Sequence, residues 1–488
     1  MDLNGILNIE ANIYALLSFG IYLLIIIGLG LYARRFSSLG VSNFFIGGRK
    51  MNRFVVALSA VVSGRSSWLL LGVTGMAYSL GLSAIWAVLG YTVVEFLLFI
   101  FYAPRLRRFS ERHDCITVPD YFAERFNDHN GRLRLVIALV ILLFMISYVS
   151  AQLVGGGKVF AAGFGIDPST GIIITALIVL IYTVLGGFLA VSLTDVVQAF
   201  FMIFALLLLP AFAIFDTGGI SHVVSVLTTQ NSDFLNPSAL GFGVAIGFLG
   251  IGLGSPGNPH IIARYMSIDD PKQLKYSAVV GTVWNILMGS GAVLIGLVGR
   301  VYFPDLEMLP MADTENLFPA LAQQQLHPIL FGLIVASIFA AIMSTADSQL
   351  LVGASAMVRD IYEKVVKDGQ AIAQKKLVLY SRLSILVLTI LALLLGFLAS
   401  DLVFWLVLFA WAGLGAALGP TSILALFWKK TTRAGIFSGV ISGTLVTIIW
   451  RSIDTLKEQM YELIPAFLIS FLLTFLVSLW TCDEKTIR

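Results

Sequence analysis

Charge is what this chain has least of. Asp, Glu, Lys and Arg make up 12% of its 488 residues, while hydrophobic residues make up 58%. Soluble domains carry about 25% charged residues, so the composition excludes a soluble enzyme, a nucleic-acid-binding protein and a disordered scaffold. Cysteine is scarce too: Cys115 and Cys482 are the only two, far too few for a disulfide framework. No glycine-rich phosphate-binding motif occurs, so direct drive by ATP has no support. No basic residue precedes the first apolar run, which argues against a cleaved signal peptide. What is present in abundance is apolar length. With a mean hydropathy of +0.92 and about 20 residues per crossing, the chain has material for on the order of a dozen membrane helices.

Thirteen apolar runs reach spanning length, near 12–33, 54–79, 83–104, 135–157, 170–190, 195–215, 238–262, 277–299, 328–355, 377–399, 402–428, 434–450 and 462–481. The runs are continuous rather than alternating, which excludes barrel strands. The expected class is therefore an all-α polytopic membrane protein, one transmembrane domain over 1–488. Basic residues orient it. With the N-terminus outside, 26 of the 31 Lys and Arg residues fall in cytoplasmic segments. Only Lys158, Arg300, Arg451 and Lys457 fall outside, and Arg65 falls within a span. That asymmetry fixes the expected topology, N-terminus out and C-terminus in.

Two spans are interrupted. The second carries Ser63-Gly64-Arg65-Ser66-Ser67, and the seventh carries Gly252-Leu253-Gly254-Ser255-Pro256-Gly257-Asn258-Pro259. Glycine and proline at that density break a helix, and freed backbone at membrane depth is tolerated only where it lines a cavity or is buried in protein. The second and seventh spans are five apart in order, with four spans between them, so the broken spans run in opposite directions. This is the pattern of an inverted repeat of five helices, 54–215 against 238–428, with 12–33, 434–450 and 462–481 peripheral. Paired broken helices point to the central site of a secondary transporter. Carbonyls and half-helix ends suit a cation and a charged solute. On the ninth span, Ala341-Ile342-Met343-Ser344-Thr345 groups a carbonyl and two hydroxyls, oxygen ligands of the hard kind.

Several motifs carry a family resemblance: Tyr182-Thr183-Val184-Leu185-Gly186-Gly187-Phe188 leading to Thr194-Asp195; Pro259-His260-Ile261-Ile262-Ala263-Arg264; and Met343-Ser344-Thr345 running to Arg359-Asp360-Ile361-Tyr362. The longest runs from Ala410 and Trp411 to Gly419 and Pro420, followed by Trp428 and by Thr432-Arg433-Ala434-Gly435. On these, nearly the whole chain resembles the sodium/solute symporter family, in particular its bacterial sodium/proline symporter branch. The resemblance implies the leucine-transporter-like inverted repeat with flanking helices. It implies a sodium site of the Val62, Arg65 and Ala341 carbonyls and the Ser344 and Thr345 hydroxyls, with Asp195, at the inner end of the sixth span, on the sodium exit path. It implies a solute pocket of Ser66, Ser67, Trp68, Tyr148, Ile251, Ser255 and Pro259. Two departures stand out. The proline transporters carry a sodium-linked aspartate where this chain has Gly64, and aromatic residues where it has Ile251 and Ser255. The first bears on sodium coupling, the second on the shape and polarity of the solute.

Arg65 lies about 11 residues into its span, roughly 16 Å deep at 1.5 Å per residue. An arginine there costs about 2.5–3.5 kcal/mol on insertion scales and requires a partner. Asp347 in the ninth span is the first candidate, because it shares a helix face with Ser344; Glu95 in the third is the second. Three readings follow: a structural ion pair, a tethered cation that makes transport sodium-independent or proton-linked through Glu95 or Asp347, and a clamp for a solute carboxylate. His260 reads as an interfacial polar residue. Arg105, Arg107, Arg108 and Arg112 read as an orientation signal and secondarily as a contact for anionic lipid. The outer loop 303–327 reads as a rim of the outer vestibule.

The sequence thus leads to a sodium-coupled symporter of the cytoplasmic (inner) membrane, not an enzyme. It is expected to import a small polar solute, an amino acid such as proline or a relative, by alternating access, as the resemblance implies. The expected partners are the solute, sodium and membrane lipids, with no nucleic acid and no cofactor besides the coupling ion. A non-transporting nutrient sensor is the other class; no kinase or receiver segment follows residue 481, which disfavours it.

Overall fold

The computed structural model describes residues 13–37, 40–368, 370–398 and 402–482. The reading of residues 1–12 and the basic residues Lys485 and Arg488 lie outside them. Among the described residues the chain is helical, with one isolated bridge between Met51 and Ile268. The helices that build the site are α1 (Ile13–Ser37), α2 (Arg53–Ser67), α3 (Ile85–Leu97), α4 (Ala103–Arg112), α5 (Val118–Arg125), α6 (Arg132–Phe164) and α7 (Pro168–Asp216). They continue as α8 (Phe242–Leu249), α9 (Pro259–Ser267), α10 (Leu274–Tyr302), α11 (Pro328–Ser355), α12 (Gln374–Leu398), α13 (Val403–Phe427), α14 (Arg433–Ser452) and α15 (Leu463–Thr481).

Ten helical segments are long and apolar enough to cross a membrane, and three shorter apolar ones accompany them, Arg53–Ser63, Pro168–Val184 and Phe242–Gly257. Their ends follow local chemistry. The Asn52 side chain accepts from Phe54 N and Val55 N, both at 3.0 Å, at the start of α2, while Pro168, Pro259 and Pro328 each open a helix where no N–H is needed.

Burial sorts the helices into a core and a periphery. In α11 and α13, 83% of the apolar window is buried, against 33% in α1, α14 and α15. The central helices are hydrophobic all round, as a helix enclosed by others must be. Peripheral ones present large apolar side chains outward, such as Leu24 and Trp480, where lipid replaces protein as the apolar solvent. Small residues let backbones approach: Gly435 and Gly439 of α14 face Thr474 and Ser478 of α15, and Gly415 of α13 lies against Gly254.

Both breaks are backbone features. In α2, Ser66 adopts φ 51°, ψ −174°, and a wide π-type turn over Trp68–Val73 follows before the helix resumes at Thr74. Between α8 and α9, Gly250–Gly257 winds into tighter 3₁₀ turns, and Asn258 is extended. One expectation needs correction. The runs 170–190 and 195–215 are not separated by a loop: α7 turns within itself at Gly187, with φ 59° and ψ −165°. A single glycine makes the bend without a polar linker, so hydropathy placed the junction too late. Asp195 consequently sits not at a helix end but eight residues, roughly 12 Å, beyond the bend at Gly187, and is fully buried.

Only glycine reaches the Gly187 conformation without strain. Gly187→Ala is expected to lower stability by about 1–3 kcal/mol, seen as a reduced thermal unfolding midpoint of the detergent-purified protein. An unchanged midpoint would mean that the bend does not need the glycine.

Candidate functional site

The site forms where the α2 break meets α11 and the 250–257 segment. Arg65 and Glu95 are both almost fully buried, and the guanidinium pairs with Glu95 Oε1. Asp347, the partner first expected, is engaged elsewhere, so that expectation is overturned in favour of Glu95. Asp347 does share a face of α11 with Ser344, but the Arg65 side chain leaves α2 on the side of α3. Its guanidinium carbon lies 3.8 Å from the centre of the Tyr91 ring, and Nε donates to Val61 O at 3.3 Å. Glu95 is satisfied on all sides: Ser255 Oγ donates to Oε1 at 3.2 Å and Asn285 Nδ2 to Oε2 at 2.8 Å. One carboxylate therefore ties together α2, α3, the broken segment and α10.

Gly64 adjoins this pair. A Cβ at that position would stand 3.9 Å from Glu95 Oε1 and 3.1 Å from Ile261 Cδ1. The ground beside residue 64 already holds a carboxylate, delivered from a different helix.

Across the break, Thr345 Oγ1 donates to Ser63 O at 3.0 Å, and Ser344 Oγ donates to Ala341 O at 3.1 Å. The Ser344 and Thr345 hydroxyls and the carbonyl segment 62–65 thus adjoin, all buried. One turn further along α11 begins a second polar cluster. Asp195 Oδ2 accepts from Ser59 Oγ at 2.6 Å and from Arg264 Nη2 at 3.2 Å. Arg264 also bonds Ser348 Oγ and donates to His260 O at 2.7 Å. Ser348 Oγ lies 2.6 Å from Ser344 O, which joins the two clusters. Tyr182 OH donates to Asp347 Oδ2 at 2.7 Å. The cluster holds two carboxyl groups and one guanidinium.

The residues expected to contact solute divide three ways. Trp68, Tyr148 and Ile251 share a cavity with Gly64, Arg65 and Trp411. It measures about 10 Å³, room for about one water, so its walls must part to admit a solute. Ser66, Ser67 and Ser255 do not line it. Ser66 Oγ accepts from Trp68 N at 3.1 Å, Ser67 Oγ donates to Gln152 Oε1 at 2.9 Å, and Ser255 Oγ serves Glu95. Pro259 lines a different cleft, with Arg264, Ser348 and Asp360. His260 is not interfacial but fully buried, its ring between Tyr148 at 6.0 Å and Trp411 at 6.5 Å. Trp68 Nε1, Gln152 Nε2, Asn258 Oδ1 and both His260 ring nitrogens have no hydrogen-bond partner among the described residues. Buried polar atoms are nearly always satisfied; Trp68 lines the cavity, and the His260 ring packs against its lining residues Tyr148 and Trp411. Gln152, Asn258, Trp411 and the α13 residues Val407 and Leu408 were missed from sequence. The available signal was a lone uncharged polar group within an apolar run.

Two polar contacts are linked to the pocket through neighbouring residues. In one, Lys158 Nζ bonds Asp313 at 2.7 Å and Glu315 at 2.5 Å, and Glu315 accepts from Val403 N and Phe404 N at the start of α13. Glu315, expected on a loop rim, is buried; it caps α13, whose first residues bring Phe404 onto the Trp68 ring at 6.0 Å. The other is the Arg264–Asp195 pair, linked through Ser348 to Ser344.

Helices broken beside a buried pocket, within a bundle of apolar helices of membrane-spanning length, define the class: a membrane transporter. The family model of the sodium:solute symporter family matches residues 44–443. The sodium/proline symporter of Staphylococcus aureus (strain JH9) is 38% identical over 480 residues, covering 96% of this chain and 93% of the relative; its counterpart in strain NCTC 8325 matches equally. In fold, the chain is similar to a sodium-coupled sialic acid symporter solved in a substrate-bound outward-open state, with TM-score 0.80, 22% identity, and coverage of 96% of this chain and 98% of that one. It is also similar to a nucleobase-cation-symport-1 family transporter in a closed conformation, with TM-score 0.55, 12% identity, and coverage of 92% and 98%. This chain belongs to the sodium:solute symporter family. It is a multi-pass transporter of the cytoplasmic membrane, not an enzyme.

The ion pair makes a sharp expectation. Removing one partner of a buried pair costs about 3–5 kcal/mol, while neutral replacement of both can be near neutral. Arg65→Met and Glu95→Gln should each lower the unfolding midpoint strongly, and the double variant should recover most of the loss. Additive losses would mean that the two residues act independently.

Proposed function

We propose that the protein is a sodium-coupled symporter that imports a small polar solute, an amino acid of proline's kind, by alternating access. The observation that carries this reading is the apposition of the Ser344 and Thr345 hydroxyls to the broken α2, with Thr345 Oγ1 3.0 Å from Ser63 O. Sodium, the coupling ion, is held there by the carbonyls of Val62, Arg65 and Ala341 and those two hydroxyls. Bound sodium fastens α2 to α11 and favours the outward-open arrangement. Its loss toward Asp195 lets the inner side open. The solute sits against Trp68, Tyr148, Ile251 and Trp411, and the unpartnered atoms of Gln152, Asn258 and His260 supply hydrogen bonds. Ser66, Ser67, Ser255 and Pro259 join the pocket as its walls separate.

Charge counting supports a cation requirement. Arg65 and Glu95 neutralise each other, whereas Asp195 and Asp347 face Arg264 alone. When both carboxyls are ionised, one negative charge is left over, and sodium balances it during release. A proton on Asp347 or Asp195 balances it equally well, which is what favours proton-linked transport as the second reading. Glu95 supplies the carboxylate that the family's proline transporters carry at the position of Gly64. With Arg65 against it, that carboxylate serves architecture rather than direct sodium ligation.

Ten long and three short apolar helices support thirteen crossings in an inverted five-helix repeat. The distribution of basic residues supports N-terminus out and C-terminus in. Cys482 then faces the cytoplasm. Cys115 is buried, and burial, with Asp120 and Glu124 nearby, pushes its thiol up to about 12, so it does not compete for reagent. A membrane-impermeant maleimide should label Cys482 in inside-out but not right-side-out vesicles; the reverse pattern would invert the topology.

The functional test is uptake of proline and other amino acids with external sodium replaced by choline at several external pH values. Sodium coupling predicts loss of uptake in choline at every pH. Undiminished uptake in choline that rises at acid pH would establish the proton-linked reading instead. Ser344→Ala removes one oxygen ligand of a cation and should raise the sodium needed for half-maximal uptake roughly tenfold or more. An unchanged requirement would remove Ser344 from the site.

A further inference from the structure

The largest cavity among those described is not at the pocket. It lies between α4, α5 and the last residues of α13, and measures about 380 Å³. Five cations line it: Arg105, Arg108 and Arg112 of α4, Arg125 of α5, and Lys429 just past α13. No carboxylate is among its lining residues. Residues 105, 108 and 112 recur at the spacing of one helix face. Arg107, on the other face, is buried and structural, donating to Ile268 O at 2.7 Å and pairing with Glu111 at 3.0 Å. The sequence therefore divides its basic residues on α4 between an anchoring face and a face that surrounds open space.

The cavity cations are held in place without being neutralised. Arg105 Nη1 donates to Phe101 O at 3.0 Å, and its guanidinium lies 4.4 Å from the centre of the Phe427 ring. Arg125 Nε donates to Ala425 O at 3.2 Å. Arg108, Arg112 and Lys429 make no hydrogen bond or ion pair among the described residues. Like charges gathered in one concavity repel and raise the local attraction for an anion. Tyr121 gives an independent sign: it is 1% exposed, lines the same cavity, and its hydroxyl has no hydrogen-bond partner. A buried hydroxyl left free beside five cations fits an anion with several acceptor oxygens. Guanidinium groups match the oxygens of phosphate.

The surroundings distinguish a lipid from a free anion. Phe101 and Phe427 flank the cations and are 53% and 45% exposed, and Leu97 and Phe96 continue the apolar surface along α3 at 45% and 39%. Such a strip accommodates acyl chains leaving a head group, and a small soluble anion would make no use of it. We propose that this cavity binds the phosphate head group of an anionic phospholipid from the leaflet it faces. The lipid would bridge α4 and the end of α13, the helix whose other residues wall the central pocket. Basic pockets between membrane helices bind such head groups elsewhere.

The test uses the full-length purified protein in neutral detergent, with phosphatidylglycerol, phosphatidylcholine of the same chains, or inorganic phosphate added separately. Lipid retention is read by native mass spectrometry and stabilisation by thermal unfolding. Phosphatidylglycerol should be retained and raise the unfolding midpoint, while the other two do neither. The exposed triple change Arg105→Gln, Arg108→Gln, Arg112→Gln should weaken phosphatidylglycerol binding at least tenfold. A control triple elsewhere on the surface, Lys272→Gln, Lys275→Gln, Lys375→Gln, should alter it less than twofold. Equal losses in both triples would reduce the effect to general surface charge and overturn the site. Stabilisation by inorganic phosphate alone would overturn the lipid assignment, and absence of phosphatidylglycerol binding would overturn the proposal outright.

Discussion

The central architecture depends on an arginine and a glutamate that neutralise each other in the middle of an apolar bundle. Neither Arg65 nor Glu95 is tolerable alone at that depth. Their pairing is completed by Ser255, Asn285 and the face of Tyr91. Because those groups come from the broken α2, from α3, from the broken 250–257 segment and from α10, satisfying one carboxylate sets the spacing of four elements. The Ser66 break, the adjoining hydroxyls of Ser344 and Thr345, and the cavity beside Trp68 all lie within this frame. The polar network gives the broken helices a defined mutual position that apolar packing against lipid-like neighbours would specify less sharply.

Beyond this frame the polar contacts are of a different kind. The Lys158–Glu315 contact and the Phe404–Trp68 stack form one group, and Arg264 with Asp195 and Ser348 forms the other. In the proposed function, alternating access requires that each of these groups act as a seal that opens while the other holds. Both seals connect to the pocket through one or two residues: Glu315 caps α13, whose Trp411 Nε1 donates to Ile251 O at 2.8 Å, and Ser348 lies one turn from Ser344. Occupancy of the centre is thereby positioned to bias either seal.

Much of the membrane architecture was legible in the sequence because hydropathy and glycine content act along the chain. The two broken spans fall where glycine, proline and serine interrupt apolar runs, and Trp68, Tyr148 and Ile251 meet around one cavity. What was not legible depends on which helix faces which. Periodicity put Asp347 on the face of Ser344 and made it the expected partner of Arg65, but no pattern along α11 reports that the Arg65 side chain leaves α2 toward α3. His260 looked interfacial because it lies near a span's end by count, whereas α9 enters the bundle after a break and buries its first turn. The bend at Gly187 left no mark in hydropathy, so Asp195 was placed too near the surface. Gln152 and Asn285 were passed over because a single uncharged polar residue in an apolar run carries no indication of its partner.

In the proposed function, movement of solute is driven by movement of sodium through the same site. The most direct measurement starts from proteoliposomes holding equal solute inside and out, with sodium added outside only. Coupling predicts that internal solute rises above the external concentration, and that the excess collapses when a sodium ionophore dissipates the gradient. Internal solute that never exceeds the external level under any sodium gradient would contradict it.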